Sequence, residues 1–288
     1  MPSRIARALP APAALAVLTL IVAPVRADHA SRHFDVSGKP ALTVVTDDAN
    51  VHVHPGPPGQ IDIELETRGW NIGSGGLKVV AEQDGNRVRY EVREPHGWFV
   101  FNLRVNRHIE MDLRVPPDLD LDLNTGDGGV TIEDVSGDIR LRSGDGNIDA
   151  KRLHGNLVIE SGDGRVEATD LDGRLRAHSG DGHVKAEGRF DELEIGTGDG
   201  PVEVDARPRS AVAGEWRVTT GDGPVTLRLP RDLRADLDIH SGDGGISTDL
   251  SVEVSGTISR GSLRGRLNGG GERIYVHTGD GSIRVVGS

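Results

Sequence analysis

Ile139-Arg140-Leu141-Arg142-Ser143-Gly144-Asp145-Gly146-Asn147-Ile148-Asp149-Ala150 and, 18 residues on, Leu157-Val158-Ile159-Glu160-Ser161-Gly162-Asp163-Gly164-Arg165-Val166-Glu167-Ala168 are two copies of one pattern. Apolar and polar residues alternate on both sides of a Ser-Gly-Asp-Gly core, the period of a strand with one buried face. Each copy therefore predicts a strand, a tight turn and a second strand. A further turn lies opposite, at Leu153-His154-Gly155-Asn156 and Leu171-Asp172-Gly173-Arg174.

The turn recurs through the second half of the chain. Its aspartate stands at Asp127, Asp145, Asp163, Asp181 and Asp199, always 18 residues apart, then at Asp222, Asp243 and Asp280 after intervals of 23, 21 and 37. Equal intervals followed by longer ones describe a regular stack with loops inserted late. Thr257 to Leu263, with Arg260-Gly261 where Asp-Gly would stand, reads as a degenerate ninth copy.

One such unit cannot fold alone. Four buried aliphatic side chains at ~1.5–3 kcal/mol each do not offset roughly 1–2 kcal/mol of backbone entropy per residue. Stacking each strand on its equivalent supplies the rest. The fold class expected is all-β, a β-solenoid of roughly 18-residue two-strand rungs. Glycines flanking the aspartate suit corners that need positive φ and close backbone approach. Ser143, Ser161, Ser179 and Thr197 point inward and are placed to form a hydroxyl ladder.

Upstream the pattern loosens. Leu42 to Val53 repeats the strand-turn-strand grammar with Asp47-Asp48-Ala49 in the turn, and strands are expected at 61–67, 77–82, 87–92, 98–105 and 109–115. Most large aromatics fall here, including Trp70, Tyr90, Trp98, Phe99 and Phe101. The predicted division is a signal peptide over 1–27, a less regular β N-terminal cap over 28–120, and the solenoid over 121–288. The signal is read from Arg4 and Arg7, the apolar stretch Ala8 to Val22, and Val25-Arg26-Ala27 before the cleavage site. That stretch holds Pro10 and Pro12 and falls short of the ~20 apolar residues of a membrane-spanning helix. The chain is thus expected to be exported, to the periplasm or the cell surface.

Composition agrees with thin aliphatic layers. There are 40 glycines, nine aromatics and no cysteine, which excludes disulfides and a cysteine-linked lipid anchor. The formal charge of −12 becomes −15 once the three arginines of the signal are removed. That balance argues against nucleic acid and anionic lipid as partners.

The tandem Ser/Thr-Gly-Asp-Gly turns, with Gly265-Arg266-Leu267-Asn268-Gly269-Gly270-Gly271 and the closing Thr278-Gly279-Asp280-Gly281-Ser282-Ile283-Arg284, resemble the bacterial putative-adhesin family of β-strand-repeat proteins. The resemblance covers nearly all of the mature chain. It implies an exported or surface-exposed β-repeat protein with an adhesive or envelope role, a protein or glycan partner, and no established catalytic residues.

Several residue sets are candidates for chemistry. Stacked rungs would align Asp127, Asp145, Asp163, Asp181 and Asp199 in an acidic row able to take calcium, but the opposite turns carry Ser136, His154, Asp172 and Phe190, and calcium wants six to eight oxygens. The competing reading has each aspartate accept backbone hydrogen bonds in its own turn. Asp149, Glu167 and Glu203, and Asp122, Glu160 and Glu194, form outward columns in which two acids suffice for polysaccharide cleavage. They alternate with Arg142, Arg176 and Lys185, and no rung departs from the repeat to mark a pocket. His52 and His54 share one strand face and lack a third ligand. His178, His240 and His277 precede their turns at equivalent positions and, several rungs apart in sequence order, should not converge. Gly269-Gly270-Gly271 lacks the Gly-Lys-Ser/Thr of a phosphate loop. The expectation is a non-enzymatic chain without cofactor; a calcium-binding or carbohydrate-active β-helix is the alternative. The final strand, Ser282 to Val286, should expose an edge open to self-association, unless the 247–272 excursion folds back over it.

Overall fold

The computed structural model describes residues 27–95, 107–254 and 259–288. Residues 1–26 of the expected signal peptide, the strand expected at 98–105, and Thr257 and Ile258 of the expected ninth copy lie outside them. Among the described residues there is no helix, hence none long and apolar enough to cross a membrane. All 23 strands belong to one continuous sheet, folded over so that two faces enclose a single aliphatic core.

The first face carries the strands that enter the Gly-Asp-Gly turns. In spatial order these are β5 (Lys78–Asp84), β6 (Arg87–Arg93), β2 (Ala41–Thr46), β8 (Asp120–Thr125), β10 (Ser136–Ser143), β12 (His154–Ser161) and the second halves of β13 (Val166–Ser179) and β14 (Val184–Thr197). Then follow β16 (Trp216–Thr220), β22 (Arg273–Thr278), β18 (Ala235–Ser241), β21 (Ser262–Leu267) and β20 (Val252–Val254). The second face runs β1 (Ala27–Asp35), β4 (Gln60–Arg68), β7 (His108–Val115), β3 (Asn50–Pro55), β9 (Val130–Glu133), β11 (Ile148–Lys151) and the first halves of β13 and β14. It ends in β15 (Val202–Ala206), β17 (Val225–Leu229), β23 (Ile283–Gly287) and β19 (Ile246–Thr248).

Through the middle of the stack the pairing is parallel and each residue meets its equivalent, except at the opposite turn of β13 and β14, where Leu171, Asp172 and Gly173 meet Gly188, Arg189 and Phe190, one residue out of step. Leu121, Ile139, Leu157, Leu175 and Leu193 are successive partners, and none is more than 3% exposed. Alternation in the sequence thus becomes columns, with aliphatic side chains inside and charged ones outside. The longer 23-residue interval is taken up between β15 and β16. There Trp216 and Phe190, both fully buried, meet edge to face at 6.3 Å.

The turn glycines do not work as expected. None of the glycines flanking Asp145, Asp163 or Asp181 has positive φ; that conformation belongs to the opposite turn, at Gly137, Gly155 and Gly173 and at Asp134, Arg152 and Asp170. The Gly-Asp-Gly glycines are required instead by stacking. A Cβ on Gly144 would meet the Gly126 carbonyl oxygen at 2.7 Å and Asp127 Oδ1 at 2.9 Å.

The hydroxyl, not the aspartate, ties each turn. Ser161 Oγ accepts from Gly164 N at 3.1 Å and donates to Gly146 O of the preceding layer at 3.0 Å. Ser143, Ser179, Thr220 and Thr278 repeat both bonds. Among the described residues no side-chain hydrogen bond engages the carboxylates of Asp127, Asp145, Asp163, Asp181 or Asp199, so the expected Asx-type bonding is replaced by this ladder. The irregular turn joins it: Thr125 Oγ1 donates to Ala49 O at 3.1 Å. Ser161→Ala leaves buried backbone groups unpaired and should cost ~1–3 kcal/mol, read as a lower urea midpoint, while Ser161→Thr should hold because threonine fills the same place at Thr220. An unchanged midpoint for the alanine variant would remove the ladder from the account.

Spatial and sequence order part at both ends of the stack. The layer of β2 and β3 lies between that of β6 and β7 and that of β8 and β9. After β17 the chain skips one position, forms β18 and β19, turns back through β20 and β21, and places β22 and β23 in the vacant slot. Two expectations are corrected by this topology. The strand Ser282 to Val286 is no open edge, since β23 pairs with β17 on one side and on the other with β19, whose Ser247 and Thr248 belong to the 247–272 excursion expected as the alternative cover. Residues 259–263 are not a ninth parallel copy, because β21 runs antiparallel to β18 and, with β20, covers its outer side.

Candidate functional site

The insertion of β22 brings together side chains that the sequence holds far apart. On the outer surface of the first face His277 is the direct register partner of Thr219 on one side and His240 on the other. Tyr275, two residues before, stands between Arg217 and Asp238. The expectation that His240 and His277 stay several layers apart is thereby overturned; only His178 remains separate, in the layer before Gly196. No signal in the linear repeat reports this, because the order of turns along the chain is not their order in the stack.

The cluster is bonded internally. The Tyr275 and His277 rings lie nearly parallel, 18° apart, with centroids 6.3 Å apart. The Arg217 guanidinium sits 5.0 Å and that of Arg273 5.7 Å from the Tyr275 centroid, within cation–π range. Asp238, 19% exposed, accepts from Arg264 Nε at 2.8 Å and bonds His240 Nε2 at 2.7 Å. Burial alone would push the Asp238 carboxyl up, but the bonds from Arg264 and His240 hold it below its ordinary value. Glu215 pairs with both Arg217 and Arg273 and draws Arg273 further toward its charged form. Among the described aromatic residues only Tyr275 and Trp70 are half-buried and the rest buried, and Trp70 too has a guanidinium against its ring, that of Arg107 at 4.2 Å.

Beside the cluster the surface dips. Gly196 occupies an outward position between His178 and Thr219, and the missing side chain leaves an open depression of about 340 Å³ walled by Glu160, Arg176, His178, Glu194, Arg217 and Thr219. One layer does depart from the repeat here, contrary to the uniform columns expected. Glu160 is held by Arg142 at 2.9 Å and Glu194 by Arg176 at 2.7 Å. Glu167 lies on the opposite face, bound to Lys185 at 3.0 Å and Arg165 at 2.8 Å, and these bonds hold its carboxyl below the usual range. It cannot join the other two.

The remaining candidates fall into plainer surroundings. The turn aspartates are all exposed, and those from Asp127 to Asp222 lean over the first glycine of the next turn in the stack; a Cβ on Gly180 would lie 2.6 Å from Asp163 Oδ1. Among the described residues no group of three or more metal-ligating side chains converges. His54 reaches Asp112 at 3.4 Å, and His52 stands across from the same aspartate. Gly269 and Gly270, both at positive φ, form the turn between β21 and β22, with Gly270 N donating to Leu267 O at 2.9 Å. Calcium and EDTA should each leave the thermal midpoint unchanged; a clear calcium-dependent rise would restore the acidic row as an ion site.

The described residues form a two-faced all-β stack with an aromatic and basic patch on its first face. The chain belongs to the Toastrack DUF4097 family, whose profile matches residues 41–286. Among solved structures it is similar to a putative cell adhesion protein from Clostridium sporogenes, at 14% identity over 91% of this chain and 100% of that one with a TM-score of 0.32. It is also similar to a putative lipid binding protein from Parabacteroides distasonis (16% identity, 90% and 96% covered, TM-score 0.49) and a putative adhesin from Bacteroides fragilis (10% identity, 91% and 97% covered, TM-score 0.32). No curated protein matches it.

Proposed function

We propose that the chain is an exported, non-enzymatic interaction module of the cell envelope, a β-solenoid of roughly 18-residue two-strand rungs that presents a binding patch on its first face. The supporting observation is the convergence of Tyr275, His277 and His240 on neighbouring strands. A half-buried tyrosine at the surface, ringed by arginine and histidine side chains, is a recognition feature. Side chains whose ion pairs and rings face solvent contribute little to folding. The purified mature chain should co-sediment with envelope fractions, and the triple variant Tyr275→Ala, His277→Ala, His240→Ala should lose at least tenfold in binding while melting normally. Equal sedimentation of both proteins would move the site elsewhere.

A second reading takes the depression at Gly196 as a glycan-cleaving cleft. Glu160 and Glu194 lie on strands two spacings apart and, because Glu160 is level with Gly196, two residues out of register, which puts their backbones roughly 12 Å apart, beyond the separation of an inverting pair. Both carboxylates already accept hydrogen bonds from arginine, Glu160 from Arg142 and Glu194 from Arg176. Loss of polysaccharide chain length on incubation, abolished by Glu194→Gln, would establish this reading in place of the first.

A further inference from the structure

We infer that Asp243-Gly244 is a site of spontaneous covalent modification, isomerisation of the aspartyl link to isoaspartyl through a cyclic imide, and that the hydroxyl ladder protects the equivalent aspartates from it. The Gly244 nitrogen attacks Asp243 Cγ; an N–C bond forms, and the carboxyl hydroxyl leaves with the amide proton as water. Water then opens the ring. Cleavage at Cγ restores aspartate, while cleavage at the α-carbonyl leaves the chain running through the β-carboxyl, one backbone carbon longer. Asp-Gly is open to this attack because glycine places no side chain beside its nitrogen, and all eight turns contain it.

What separates the eight turns is the amide of that glycine. At Gly146, Gly164, Gly182, Gly223 and Gly281 it donates to the ladder hydroxyl at 3.0–3.2 Å, which holds the nitrogen that must attack. Among the described residues Gly128, Gly200 and Gly244 make no such bond. Gly128 and Gly200 are clamped between layers: a Cβ on Gly128 would strike the Ala49 carbonyl and one on Gly146 the Gly128 carbonyl, and Gly200 stands in the same way between Gly182 and Gly223. Asp243 belongs to the last parallel layer. Its turn rests on one neighbour, with Gly242 N donating to Thr278 O and Asp243 N to Gly279 O, both at 3.1 Å. On its other side Gly261 and Arg260 accept only from Ser241 and Ile246, at the two ends of the turn. Ser241 Oγ donates to Gly281 O at 2.8 Å, Asp243 is exposed, and a Cβ on Gly245 would meet nothing within 4 Å. Ring closure needs the turn backbone to move, and segments with few packed neighbours open most readily. Outside the ladder, Asp172 accepts from Arg189 Nε at 2.6 Å, and Asn268 Nδ2 donates to Arg231 O and Leu233 O, so the Asp-Gly and Asn-Gly pairs they begin have engaged side chains. Asp84-Gly85, exposed in the hairpin of β5 and β6, is an open pair for comparison.

The test is peptide mapping of the folded full mature chain after prolonged incubation, by mass spectrometry with fragmentation that separates isoaspartyl from aspartyl links. Isoaspartate should accumulate at Asp243 at least fivefold faster than at Asp163, and in the urea-unfolded chain that difference should vanish. Ser161→Ala should raise the rate at Asp163 at least fivefold and leave Asp222, several layers away, unchanged, while Ser161→Thr should keep Asp163 slow. Equal rates at Asp243 and Asp163 in the folded parent would overturn the inference, as would conversion at Asp84 with none at Asp243. These two results need no variant to fold. An unchanged rate at Asp163 in Ser161→Ala, or a parallel rise at Asp163 and Asp222, would overturn the protective role of the hydroxyl, the second by showing that the whole stack had loosened.

Discussion

Gly164→Ala should destabilise the protein by more than about 4 kcal/mol. The backbone conformation is one alanine accepts, since Gly164 is not at positive φ, so the whole effect comes from the neighbouring layer. An added Cβ would lie 2.6 Å from the carbonyl carbon of Gly146 and 2.6 Å from Ser161 Oγ. Neither can yield cheaply: the first is backbone of a turn that stacks in register, and the second holds the hydroxyl bond to that same turn. Relief requires prising two layers apart and breaking parallel hydrogen bonds on both faces. Gly245→Ala is the control, because nothing lies within 4 Å of its Cβ position. Urea unfolding of the pair should separate them widely, and equal midpoints would show that close stacking does not select these glycines.

Deleting residues 273–288 should remove cooperative folding of the second half of the stack. The lost layer buries Ile274, Val276, Ile283 and Val285 completely, a gross contribution of ~6–12 kcal/mol at 1.5–3 kcal/mol each. That is as large as the net stability of a typical domain. The loss is worse than for a terminal strand, because β22 and β23 each pair on both sides and their removal separates β16 from β18 and β17 from β19. A truncated chain with the melting curve of the parent would mean that the slot closes by itself, and the inserted layer would not be a structural element.

The repeat made the middle of the fold readable. Between Leu121 and Thr197 a constant period fixes register, and Leu157 meets Leu175 as the spacing of their turns requires. The ends were not readable, because period carries no information about which layer a strand joins. His240 and His277 are 37 residues apart in sequence and nearest neighbours in space, and the candidate site exists through that difference. The role of the glycines was half legible. Close approach was foreseen, but the left-handed residues fall in the opposite turn, at Gly137, Gly155 and Gly173 and also at Asp134, Arg152 and Asp170, three positions that carry no glycine to mark them. Gly196, an outward position without a side chain, was visible in the sequence as a break in the alternation of charges, and its depression could have been found there.

The order of layers is the claim on which site and stability both depend, and the absence of cysteine from the chain allows a direct measurement. In the double variant His240→Cys, His277→Cys, Cα atoms on adjacent strands at about 4.8 Å fall in the range a disulfide spans. That pair, and Thr219→Cys with His277→Cys, should cross-link under mild oxidation. Thr219→Cys with His240→Cys, two spacings or roughly 9.6 Å apart, should remain reduced. Cross-linking of the Thr219 and His240 pair alone would place the layers in sequence order and contradict the account.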